Sequence, residues 1–118
     1  MRVLTLALIF AATQAAAQSA TVSGTDGQNA LGTIPCTALA DQPIGQCPAE
    51  LRHKDNGEAT LAVQLPTGDV RRIYFENGEP TSSSSTSPMN HEISGDIMMI
   101  FIDPNEVFEV PANAVKPQ

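Results

Sequence analysis

The sequence predicts an all-β fold: a small antiparallel meander of about six strands, forming a barrel or sandwich, with one disulfide. Three observations predict it. Short runs of alternating apolar and polar residues recur from Cys47 onward, Gly-, Asn- and Pro-containing turn signals separate them at close spacing, and no segment beyond the apolar amino terminus sustains a 3.6-residue apolar period.

In chain order, residues 1–17 read as a signal peptide. Arg2 supplies the positive charge, Val3 to Ala12 is an apolar run broken only by Thr5, and Ala15-Ala16-Ala17 gives the small-x-small pattern for cleavage after Ala17. The apolar run is about half the roughly 20 residues that a spanning helix needs. Residues 18–33 are polar, Gly-rich and aperiodic, and read as a flexible lead. Residues 34–118 read as one disulfide-clipped β domain. Cys36 and Cys47 close a short loop containing Pro43 and Gly45, with Pro35 and Pro48 beside the cysteines, and these four residues are expected to resist regular structure. In an oxidising compartment an isolated pair at this spacing forms a structural disulfide, contributing roughly 3 kcal/mol by the chain-entropy model. Neither a C-x-x-C motif nor a second cysteine pair suggests redox exchange or zinc.

The β runs follow. Cys47 to Lys54 alternates, and Asn56-Gly57 predicts a tight hairpin. Ala59, Leu61, Val63 and Leu65 share one face of the next run, and Pro66-Thr67-Gly68 turns it into Val70–Phe75, where Arg71, Ile73 and Phe75 share a face. Asn77-Gly78 is a second hairpin signal. Thr81 to Ser87 (TSSSSTS) is low-complexity and reads as a mobile surface loop. Asn90 to Ile93 is a short run before the turn Ser94-Gly95-Asp96. Ile97 to Ile102 (IMMIFI) is apolar on both faces and predicts cover on both sides, by a second layer, by the clipped amino-terminal segment, or by another chain, a homodimer included. Asp103-Pro104-Asn105 turns the chain into Glu106–Val110, which Pro111 ends.

The formal net charge is −7; the leader carries one basic and no acidic residue, so its removal makes the charge −8. Such a chain repels phosphate backbones and anionic lipid, which argues against nucleic-acid binding and against membrane association after cleavage. The charge reads either as a means of keeping the protein soluble or as an attraction for a basic protein or peptide, the partner itself being unknown from the sequence.

Ile34-Pro35-Cys36, Cys47, Pro66-Thr67-Gly68-Asp69, Phe75-Glu76-Asn77-Gly78, Gly95-Asp96 and Phe108-Glu109-Val110-Pro111 with Val115 occur in an order that resembles a group of small exported bacterial proteins of uncharacterised function. That resemblance implies export and a β domain and no chemistry. A weaker one, carried by Ser94-Gly95, is to periplasmic lysozyme inhibitors. It implies inhibition of a cationic hydrolase, although Asp96, Ile97 and Met98 stand where an aromatic partner is expected and the cysteines lie closer together.

Candidate chemistry is sparse. His53 and His91 have no rigidly placed nucleophile in the sequence around them, and G-x-S-x-G is absent, so the reading is not an enzyme. Asp103-Pro104-Asn105-Glu106 lacks the alternating oxygens of a 12-residue calcium loop. Met89, His91, Met98 and Met99 offer soft ligands for copper, but Met98 and Met99 point to opposite faces of one strand. The chain has no Trp, which weakens a sugar-binding face. No cofactor is expected. Glu92, Asp96, Glu106 and Glu109 form the candidate interaction surface of an exported, non-enzymatic binding protein, located in the periplasm or secreted. The alternatives are an inhibitor of a cationic hydrolase, such as a lysozyme or a protease, and a periplasmic copper binder.

Overall fold

The computed structural model describes residues 23–24 and 29–117. The strands are β1 (Ser23–Gly24), β2 (Asn29–Thr37), β3 (Gly45–His53), β4 (Glu58–Gln64), β5 (Val70–Glu76), β6 (Glu79–Ser83), β7 (Met89–Ser94), β8 (Ile97–Ile102) and β9 (Glu106–Pro111), followed by a 3-10 turn at Ala112–Val115. The fold class is all-β and antiparallel, but the strand count is higher than predicted: eight strands form the main sheet in the order β6-β5-β4-β3-β2-β9-β8-β7, and the two-residue β1 pairs with β2.

The sheet curls into a near-barrel. Alternation decides which side is filled: β8 buries Met98, Ile100 and Ile102, and β4 buries Ala59, Leu61 and Val63. Large and small residues are matched across neighbouring strands, with Phe75 opposite Ala59, and Ile34, Leu51, Leu61, Ile73, Ile100 and Phe108 complete an interior with almost no solvent access. One end of the barrel is plugged by Val115, fully buried in the 3-10 turn, whose Ala114 carbonyl accepts a 2.8 Å hydrogen bond from His53 Nε2. Toward the other end Arg71 on β5 donates from Nε and Nη2 to both carboxylate oxygens of Glu106 on β9, at 2.8 and 2.6 Å.

Four sequence expectations are corrected. The lead assigned to 18–33 is not wholly irregular, because β2 begins at Asn29 and pairs with β3 from Asn29↔Arg52 onward; its polar composition hides a strand held by backbone bonds. Pro35 and Pro48 lie within β2 and β3. Pro35 pairs with Gln46 and Pro48 with Thr33, whereas β2 pairs with β1 only at Ala30 and Leu31 and with β9 only from Cys36, and β3 pairs with β4 only from Ala49. Each proline thus sits one residue short of its strand's other neighbour, where a missing N–H removes no ladder bond.

The serine-rich segment begins inside a strand, β6, whose last three residues it supplies and which the composition concealed. Past it the hydroxyls cap the backbone: Ser83 Oγ accepts from Ser85 N–H at 3.1 Å, Ser85 Oγ from Ser87 N–H at 3.0 Å, and Ser84 Oγ from Arg72 N–H at 3.0 Å. Finally, IMMIFI is covered on one side only, by the barrel interior, and its outer face has no second layer over it among the described residues. Ile97, Met99 and Phe101 lie half-buried on the outer face, in rows with Ser94 and Pro111, Glu92 and Glu109, and Asn90 and Val107. On that face Met99 is flanked by the long side chains of Glu92 and Glu109 in place of a second sheet.

The disulfide is formed as predicted. Cys36 and Cys47 join β2 to β3 with Cα atoms 5.8 Å apart, and both are buried.

Candidate functional site: the seam between β6 and β7

β6 and β7 end the sheet path, so each has a single paired neighbour, yet the five residues Ser84 to Pro88 join them and the curled sheet brings them face to face. They make no ladder with each other. Between them, toward the barrel end plugged by Val115, lies a cavity of about 290 Å³ whose lining includes Glu79, His91, Ile93, Asp96, Met98 and Lys116.

The two edges differ. In β7 the hydrogen-bonding parity is set by the Asp103 N–H, which donates to the Pro88 carbonyl at 3.1 Å. Antiparallel pairs alternate between bonded and non-bonded. Asn90↔Phe101, Glu92↔Met99 and Ser94↔Ile97 are in step with Pro88 and Asp103, so Asn90, Glu92 and Ser94 direct their backbone groups to β8. Met89, His91 and Ile93 therefore direct theirs into the seam. On β6, Ser84 N–H bonds to the Arg72 carbonyl at 2.9 Å, which by the same alternation turns the backbone groups of Ser83 away from β5. Pro80 has no N–H to offer, and the ladder is irregular between Tyr74 and Phe75, where Thr81 Oγ1 donates to the Tyr74 carbonyl at 3.2 Å. A proline and a bulge are ordinary guards of an edge strand. The edge of β6 is defended; that of β7 is not.

The side chains carry the same asymmetry. Ile93, Met98 and Val110 form one inward-facing row across β7, β8 and β9. Met98 is 3% exposed and Val110 1%, but Ile93 is 57% exposed, the most of any large apolar side chain among the described residues. The core row runs out at an uncovered isoleucine because nothing pairs with β7 on that side. His91, next on the same face and opposite Ile100, is exposed too.

The acidic residues singled out in the sequence do not converge. Glu106 faces inward and is held by Arg71, its carboxylate raising the arginine pKa above its ordinary value chiefly through the side-chain hydrogen bond. Glu92 and Glu109 lie on the outer face with Met99 between them, and Asp96 sits in the exposed β7–β8 turn, its carbonyl accepting a 2.9 Å bond from Ala112 N–H. Only Asp96 of the four lines the seam cavity. Sequence reasoning missed Glu79 and Ile93; the usable signal for the edge was Pro80 just after the Asn77-Gly78 turn. Of the soft-ligand candidates, His91 and Met98 border the cavity and Met99 lies on the opposite face of β8. Among the described residues no group of three His, Cys, Asp or Glu side chains is placed to hold a metal ion.

A second hollow of about 410 Å³, lined by Gly32, Pro48, Glu50, Ala62, Val70 and Arg72 among others, lies open on the sheet and offers no unpaired strand edge. Comparison with protein-family models, curated proteins and solved structures returns no match.

Proposed function

We propose that this is an exported, non-enzymatic binding protein that takes up an extended polypeptide segment in the seam between β6 and β7 by strand addition to β7. Export rests on the amino-terminal pattern around Arg2 and Ala15-Ala16-Ala17 and on a disulfide suited to an oxidising compartment. The observation that carries the binding function is the unfinished row Ile93, Met98, Val110, ending on a strand whose backbone groups at Met89, His91 and Ile93 are free of sheet bonds. Strand addition gains affinity from main-chain bonds and selectivity from alternate side chains entering pockets, and both provisions exist at the seam.

The test is to screen the oxidised protein against a displayed library of short peptides, then follow amide exchange by NMR. Bound peptides are expected to slow exchange at Met89, His91 and Ile93, with Asn90 and Glu92 protected whether peptide is present or not. A library that yields no binder, or binders that shield another surface, overturns the proposal.

The Ser94-Gly95-Asp96 turn supports a second reading, inhibition of a cationic hydrolase. Asp96 is exposed at the tip of a hairpin whose backbone is anchored to Ala112, a rigid acidic projection that suits a basic cleft. In a lysis assay, absence of protection at micromolar protein removes this reading and leaves strand addition standing.

A further inference from the structure

We infer that the segment received by β7 is basic: an extended stretch of a partner protein in which apolar residues alternate with Lys or Arg. The inference rests on the strand-addition reading above and adds the chemistry of the occupant. A strand laid against β7 places alternate side chains on opposite faces. Those on the inner face meet Ile93, an apolar side chain that is otherwise wet, and the cavity beside it, where Met98 adds apolar lining among polar groups. Those on the outer face run beside Glu92, which faces outward and is exposed. At the mouth, Glu79 comes from β6 and Asp96 from the β7–β8 turn, so carboxylates stand on both walls. The one lysine there, Lys116, packs beside Gly78: a β-carbon built on that glycine would lie 3.3 Å from Lys116 Cγ. The groups around the seam therefore comprise three carboxylates, one ammonium and His91. The chain's net charge of −7 adds a long-range attraction for cations and opposes a second copy of itself as the occupant.

The probes are three eight-residue peptides, blocked at both ends: alternating valine–lysine, valine–serine and valine–glutamate. Each is titrated into the full-length oxidised protein by calorimetry and by NMR amide exchange. The valine–lysine peptide is expected to bind about tenfold more tightly than valine–serine, as a few partly exposed charge pairs allow, with valine–glutamate weaker still. Glu79→Gln, Glu92→Gln and Asp96→Asn together should reduce the valine–lysine affinity about fivefold and leave valine–serine unchanged. Ile93→Pro removes an N–H that β8 does not use and should abolish binding of both while preserving the protection of Asn90 and Glu92.

The two levels of the proposal fail differently. If valine–serine and valine–glutamate bind as well as valine–lysine and shield Met89, His91 and Ile93, the seam accepts strands but the basic occupant is wrong. If valine–lysine binds and Ile93→Pro has no effect, the contact is diffuse charge attraction and strand addition itself is wrong. Protection of the three β7 amides in the free protein, growing with protein concentration, identifies a second copy as the occupant and overturns the inference.

Discussion

Arg71 and Glu106 hold each other through two parallel hydrogen bonds, although in the order of the sheet their strands are separated by β4, β3 and β2. The pair is therefore a chord across the curl: it ties β5 to β9 from within. Its side chains are only 19% and 11% exposed, so the fork-on-carboxylate geometry works with limited solvent screening.

Removing one member should be worse than removing both. Arg71→Met leaves a largely buried carboxylate, and a loss of about 2 kcal/mol is expected, below the range for fully buried pairs because some solvent reaches this one. Arg71→Met with Glu106→Leu should recover most of that. Urea denaturation of the two single variants and the double closes the cycle. The arginine's raised pKa means that its contribution is complete below the unfolded arginine pKa and is lost only as pH rises through the higher folded value, so Arg71 adds no pH dependence between pH 6 and 9.

Gly57 and Gly68 separate backbone strain from steric conflict. Both have positive φ, +85° and +98°. A β-carbon at Gly57 would lie 2.5 Å from Asn77 Oδ1, where the first hairpin turn packs on the second and Asn77 N–H bonds to the Gly57 carbonyl; one at Gly68 meets nothing within 4 Å. Gly68→Ala should cost about 1 kcal/mol, and Gly57→Ala about 1–2 kcal/mol more. Thermal melts of the two variants, side by side, give the difference.

The disulfide should contribute about 2–4 kcal/mol, judged by comparing the wild type with Cys36→Ala/Cys47→Ala in urea. Because both cysteines are buried, a mild reductant should reach the bond only through opening of the β2–β3 pair. Thiol release should speed up with added urea; release that is immediate in its absence would show that the bond is exposed.

Most strands were legible because their residues satisfy two demands at once. Ala59, Leu61 and Val63 alternate, and Asn56-Gly57 and Asn77-Gly78 admit the positive φ that tight turns need. β6 was not legible, since EPTSS has no apolar alternation and is held by backbone bonds to β5 and by hydroxyl caps. Pro35 and Pro48 misled for a related reason: whether a proline breaks a strand depends on what lies across it, which only the register reveals. The site was half legible. The exposed carboxylates could be found by composition, but Glu106 could not be told from Glu109 until Arg71 was seen beneath it. Ile93 became informative only once its row partners Met98 and Val110 proved buried.

Ile93 also supplies the sharpest check on the open edge. An isoleucine inside a closed sheet is costly to replace, and Met98→Ala, in the same row, should cost about 2–4 kcal/mol because its side chain is almost wholly covered. Ile93→Thr keeps the β-branch and strand propensity while removing apolar surface. At 57% exposure less than half of that surface is withdrawn from water on folding, so the change should stay within about 0.5 kcal/mol. The same substitution should weaken binding of any strand that packs its inner residues on position 93. A large loss of stability in Ile93→Thr would mean that β7 is covered in solution, by β6 or by another molecule. A neutral change in stability with a loss of peptide affinity would identify Ile93 as surface held open for a partner.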